Sequence, residues 1–122
     1  PPKAVLPLFP ARVRPIKGRV ILVEGIFDAL NLHDKGLTNS LCCFGTRNID
    51  IEKLKLLKMQ GVEGIDILFD PDAAGQEAAV GIVEMCEIAG LLSKNIKLPI
   101  QLEDAGALTK EKVKDLKETL YG

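Results

Sequence analysis

The sequence predicts an α/β domain with a Rossmann-like open, mainly parallel sheet of four strands flanked by helices. Short apolar runs rich in β-branched residues, such as Val20-Ile21-Leu22-Val23, are what strands buried on both faces require. Stretches with helical spacing alternate with those runs, which implies parallel strands joined by right-handed crossovers. Aromatic residues make up only 4%, with no Trp and one Tyr, so the core has to be built from Leu, Ile, Val and Ala.

Five of the seven prolines fall in the first fifteen residues, which therefore suit neither a helix nor a central strand. Residues 1–18 read as a proline-rich basic arm or linker, and residues 19–122 as the domain. The start without Met suggests a piece of a longer polypeptide. The first strand runs from Arg19 to Val23. After Gly25, the residues Ile26, Ala29, Leu30 and His33 mark a one-sided helix that Gly36 closes. Ser40 to Phe44 reads as the second strand, Gly45-Thr46 as a loop, and Asp50 as the cap of a helix reaching about Met59. Ile65 to Phe69 makes the third strand. The longest helix spans about Ala73 to Ala89, with a stripe of Ala79, Ile82, Val83, Cys86 and Ala89, and Gly90 stops it. Asn95 to Leu98 is expected as the fourth strand and Pro99 to Gly106 as a loop, after which Thr109 caps a Lys/Glu-rich helix.

With 122 residues, 47% hydrophobic and 27% charged, the chain suits one soluble domain. Cys42, Cys43 and Cys86 are an odd number without CxxC spacing, and His33 is the lone histidine, so neither a disulfide framework nor a zinc site is indicated. Core packing is expected of the cysteines, and a reducing cytoplasm fits them. No apolar run reaches the roughly 18 residues of a membrane span, which excludes a membrane helix, and a signal-peptide layout is missing. The net charge of −1 hides a segregation. Residues 1–19 carry Lys3, Arg12, Arg14, Lys17 and Arg19 and no acid, whereas residues 59–93 carry seven acids and no Lys or Arg. Such a chain can meet polyanions at one place and cations at another.

In an open parallel sheet, ligands sit outside the carboxyl ends of the strands, so the acids there are the candidates. Glu24 ends the first strand and Asp28 follows one helical turn later. Asp70 ends the third strand, with Asp72 two residues on, and Glu103 and Asp104 lie in the loop after the fourth. Carboxylates from separate strand ends converging on one crevice suit a magnesium-like ion, which takes oxygen ligands and is usually held by one or two carboxylates together with substrate phosphates. Asp72 could equally cap the long helix, Asp28 could complement its helix dipole, and Glu103 reads as solvated. Glu24 and Asp70 follow directly on buried runs, where an unpaired carboxylate is costly, and this favours a functional role. Arg47, past the second strand, either meets a phosphate or is solvated.

The runs Val23-Glu24-Gly25-Ile26-Phe27-Asp28-Ala29-Leu30, Gly36-Leu37-Thr38-Asn39, Phe44-Gly45-Thr46 and Asp70-Pro71-Asp72-Ala73-Ala74-Gly75, with Ala78-Ala79, resemble the Toprim domain of bacterial-type DNA primases and bacteriophage primase-helicases. The resemblance covers roughly residues 19–106. It implies that Glu24 is the acid of the first motif and that Asp70 and Asp72 are the D-x-D metal ligands, together with Glu24. The implied chemistry is magnesium- or manganese-dependent nucleotidyl transfer that joins ribonucleotides into a primer on single-stranded DNA. Asp104 matches the acid of the loop after the fourth strand, although Ala105 stands where many relatives have Pro. The implied partners of the parent protein are a single-stranded DNA template, nucleoside triphosphates and a fused or associated helicase.

The sequence holds no zinc module and no G-x-x-x-x-G-K-[ST] loop, so activity is expected of the parent protein rather than of this fragment. Two other classes compete. A small Toprim nuclease would cut phosphodiesters in RNA or DNA with the same acids, using Glu24 as general base. An interaction module would keep the fold and use the acids only structurally.

Overall fold

A computed structural model of the chain describes residues 8–45, 48–97 and 105–122. Strands β1 (Arg19–Val23), β2 (Ser40–Cys42), β3 (Gly64–Ile67) and β4 (Leu92–Asn95) alternate with helices α1 (Ile26–Asp34), α2 (Ile51–Met59) and α3 (Ala73–Ala89), and α4 (Lys110–Tyr121) closes the chain. All strands are parallel, in the order β2-β1-β3-β4. Val20 and Leu22 face a core with Leu54 and Leu57 of α2 and Ala79, Ile82 and Cys86 of α3. Ile21 and Val23, on the opposite face, pack with Ala29 and Leu32 of α1 and Val113 and Tyr121 of α4. The continuous apolar run in β1 is thus the consequence of two covered faces.

The helix limits follow local chemistry. Asp50 and Thr109 accept from the backbone N–H groups of Lys53 (2.8 Å) and Lys112 (3.2 Å), the capping expected of each. Gly90 ends α3 in the left-handed region (φ 81°), and Leu91 N–H returns to the Cys86 carbonyl at 2.9 Å. That tight turn starts the fourth strand earlier than the expected Asn95 to Leu98. Leu92 N–H already pairs with the Glu63 carbonyl at 3.0 Å, and Asn95 is the strand's end rather than its beginning. As an edge strand, β4 alternates exposed and half-buried residues and so carries no apolar run to betray it. Leu98 lies outside the described residues. The second strand also stops short of Phe44, whose φ of 54° is left-handed. At the end of the expected loop from Pro99 to Gly106, Ala105–Ala107 forms a 3₁₀ turn that runs one residue past it, held by Asn31 donating to the Ala105 carbonyl at 2.8 Å.

Phe9 exchanges backbone hydrogen bonds with Cys42 on the outer edge of β2 (3.0 and 2.7 Å), and Leu8 and Val13 pack against the α2–α3 core. All three cysteines are buried and free, with burial pushing Cys43 up to about 12 and Cys86 up to about 11, as core residues rather than reactive thiols. No helix among the described residues is long and apolar enough to cross a membrane.

Candidate metal centre

Because β1 and β3 are neighbours in register (Leu22 beside Ile67), the acids that follow them emerge side by side at the carboxyl edge of the sheet. Asp70 N–H donates to Glu24 Oε1 at 2.9 Å, which joins the two strand ends through one carboxylate. The Glu24 carbonyl accepts from Gly45 N–H at 2.9 Å, which brings the loop after β2 to the same place. At this rim Phe44 holds its left-handed conformation, a strained state for a residue with a side chain. Asp72 caps α3, its Oδ1 accepting from Gly75 N–H at 2.7 Å. Asp28, in the first turn of α1, reaches back to Gly25 N–H at 3.2 Å. Both local roles expected of these acids are therefore present.

The charges of three neighbouring acids act on Glu24. Burial pushes the Glu24 carboxyl above its ordinary value of 4.5, the Asp70 N–H opposes this, and the charges of Asp70, Asp72 and Asp28 each add to the rise. The acids do not close into a ready cage, since among the described residues no three Asp, Glu, Cys or His side chains are arranged to hold a metal by themselves. Asp104 and Arg47, like Glu103, lie outside the described residues.

Two polar residues at the rim escape sequence reasoning. Gln76 Nε2 donates to the Asp70 carbonyl at 3.1 Å, and Asn95 Nδ2 donates to Gln76 Oε1 at 3.2 Å, so α3 and the end of β4 brace the Asp70 turn. Asn95 Oδ1 is buried and has no hydrogen-bond partner among the described residues. The rule that ligands gather at strand ends would have found Asn95, had the fourth strand not been expected to begin where it ends. A second network, at the other end of the sheet, is structural. Asp66 is buried in β3, takes Arg19 Nη2 at 2.7 Å and Tyr121 OH at 2.8 Å, and Asn39 Nδ2 donates to Tyr121 OH at 2.9 Å. Its signal was an Asp inside the run Ile65-Asp66-Ile67, where only a partnered charge is tolerable.

Comparison with known proteins places this geometry in a family. The profile described as Toprim-like matches residues 21–118. A DNA primase of Chlamydia muridarum is 34% identical over 102 residues, which is 84% of this chain and 17% of that protein. Among solved structures, the primase of Aquifex aeolicus (zinc-binding and RNA polymerase domains) superposes with a TM-score of 0.73 at 30% identity, over 84% of this chain and 25% of that one. A DnaG primase catalytic domain bound to single-stranded DNA gives a TM-score of 0.69 at 25% identity, over 84% and 32%. The chain thus spans about a sixth of the length of the chlamydial primase and is homologous to part of the primase catalytic core. On the family match and these relatives, the chain belongs to the Toprim-like family.

Proposed function

We propose that this domain is the metal-binding part of a DNA primase active site, acting in magnesium- or manganese-dependent synthesis of RNA primers on single-stranded DNA as part of a longer protein. The observation that carries this reading is the bond from Asp70 N–H to Glu24 Oε1, which sets two strand-end acids side by side with Asp72 and Asp28 acting on the same carboxylate. The donor set fits a hard cation: every candidate is a carboxylate, with no thiolate or imidazole among them. Like charges crowded in a half-buried crevice also favour a cation there. Asp70 and Asp72 would hold the ion together with Glu24, and substrate phosphates and water would complete its shell. A bound divalent ion supplies charge neutralisation and alignment at the phosphates. Glu24 is positioned as proton acceptor for the attacking hydroxyl, because burial and its neighbours raise its proton affinity while the Asp70 N–H fixes its orientation. The relatives support primer synthesis over phosphodiester cleavage, and the DnaG domain bound to single-stranded DNA supports a single-stranded template.

The test uses the parent polypeptide on a single-stranded template with ribonucleotides. Glu24→Gln should abolish primer extension while leaving circular dichroism unchanged, and a substrate-cleavage assay run in parallel should be silent. Magnesium should also raise the melting temperature of this domain. At about tenfold excess over Kd the gain is roughly 1.4 kcal/mol, or several degrees for a domain of this size. Asp70→Asn with Asp72→Asn should lose that shift. Retention of the full shift by the double variant would remove both residues from the metal site, and cleavage without extension would favour the nuclease.

A further inference from the structure

The segment that precedes β1 divides its side chains between two sides. Leu8 and Val13 pack toward the α2–α3 core, whereas Arg12 and Arg14 are exposed and turn to the other side. There, together with Pro10, His33 and Thr38, they line a cavity of about 310 Å³. Among the described residues neither Arg12 nor Arg14 makes an ion pair. His33 bonds the Ser40 carbonyl through Nε2 at 2.9 Å, so that nitrogen carries the proton and the ring is locked in place. Two unpaired guanidinium groups and a hydroxyl around one small cavity are the donors that a phosphate group requires.

We propose that this cavity binds a phosphate group of a single-stranded polynucleotide. The inference rests on the primase reading and gives its template a second contact. No Phe, Tyr or Trp is among the described residues that line the cavity, and the His33 ring is tied to the Ser40 carbonyl, so the backbone phosphates rather than a base are what the two arginines read. His33 and Thr38 lie at the end of β2 opposite the carboxylate crevice. The strand between them is three residues long, about 10 Å by its rise, a span that a few nucleotides cover. Pro10, Arg12 and Arg14 also precede residue 21, where the family match begins, so that match does not include them.

The test is anisotropy of a labelled oligothymidylate with the full 122-residue chain, in chelator, across a salt series. Working in chelator separates this contact from the metal centre. Loss of primer synthesis in the parent would count against the function and leave the pocket standing, and the reverse also holds. Arg12→Gln with Arg14→Gln should weaken binding and make the plot of log K against log salt shallower by about 1.4, two phosphate contacts at about 0.7 each for a single strand. Arg12→Lys with Arg14→Lys should keep the slope and bind more weakly. Thr38→Val should weaken binding several-fold without changing the slope. Because both arginines are exposed, the melting temperature should stay near the parent's. An unchanged affinity and slope in the Gln pair overturns the proposal. So does a loss confined to ATP or inorganic phosphate, run as competing ligands, with oligothymidylate binding intact.

Discussion

Replacing Gly75 by Ala should destabilise the domain at the position that joins the helix cap to the Asp70 turn. A Cβ built on Gly75 would lie 2.4 Å from the Asp70 carbonyl oxygen and 3.1 Å from Asp72 Oδ1. The first contact is with backbone, so the Asp70 peptide or the first turn of α3 has to move by nearly an ångström. Helix propensity favours Ala over Gly by about 1 kcal/mol. Against this stand about 1–3 kcal/mol for overpacking and about 1 kcal/mol for a weakened cap. The balance is a loss of roughly 1–3 kcal/mol, a fall in melting temperature on the order of 4–12 °C. Gly81 on the same helix is the control: its Cβ would meet nothing within 4 Å, so Gly81→Ala should raise stability by about 0.5–1 kcal/mol. Thermal melts followed by circular dichroism in chelator compare the two. The turn that the added methyl group displaces is also the one whose Asp70 N–H holds Glu24, so the magnesium shift should shrink with it. If Gly75→Ala melts at or above the parent, in step with Gly81→Ala, the close approach is not a constraint and the account of this turn is wrong.

Two further outcomes follow from the charge networks. Glu24 has a folded-state pKa above its unfolded value of about 4.5, so the native state keeps a proton that the unfolded chain has lost between those values. Stability in chelator therefore falls as pH rises through that window, and the full penalty is present above it. Glu24→Gln keeps an oxygen for the Asp70 N–H and has no such penalty, so its advantage in melting temperature should grow from pH 4 toward pH 7 and then level off. A difference independent of pH, or a mutant less stable at pH 7, would contradict the placement of Glu24. At the other network, Tyr121→Phe removes one donor to Asp66 and the acceptor of Asn39, which should cost about 1–2 kcal/mol in urea unfolding with an unchanged m-value. An unchanged midpoint would show that α4 is held by its apolar contacts alone.

What was legible in the sequence had local causes. The β1 run reports two covered faces, Asp50 and Thr109 bond N–H groups three residues on, and Gly90 supplies a left-handed turn, so each could be read within a short window. The carboxylates at the ends of β1 and β3 were legible for the same reason: an acid directly after a buried run is conspicuous. β4 was misplaced because an edge strand needs no apolar run and its pairing with β3 is a property of the assembled sheet. Gln76 was missed because its partners, the Asp70 carbonyl and Asn95, are meaningful only once the Asp70 turn is fixed. The Arg19–Asp66–Tyr121–Asn39 network joins four separate segments. Only the misplaced-looking Asp66 hinted at it.

The helix roles of Asp72, as cap, and of Asp28, beside its helix dipole, do not exclude the proposed metal site once the hydrogen bonds are assigned atom by atom. Asp72 binds its N–H with Oδ1, Asp28 with Oδ2 and Glu24 with Oε1. A carboxylate offers about four lone-pair sites over two oxygens, so one N–H bond leaves it competent to ligate a cation. The hydrogen bonds instead fix where each carboxylate stands, so that little side-chain entropy would remain to be lost if an ion bound there. Two helix N-termini also place their partial positive charge beside the cluster, which offsets part of the repulsion that crowds Glu24. On the proposed function, capping and ligation would therefore be compatible uses of the same carboxylates: the backbone orients the acids, and their excess negative charge would favour a hard divalent cation.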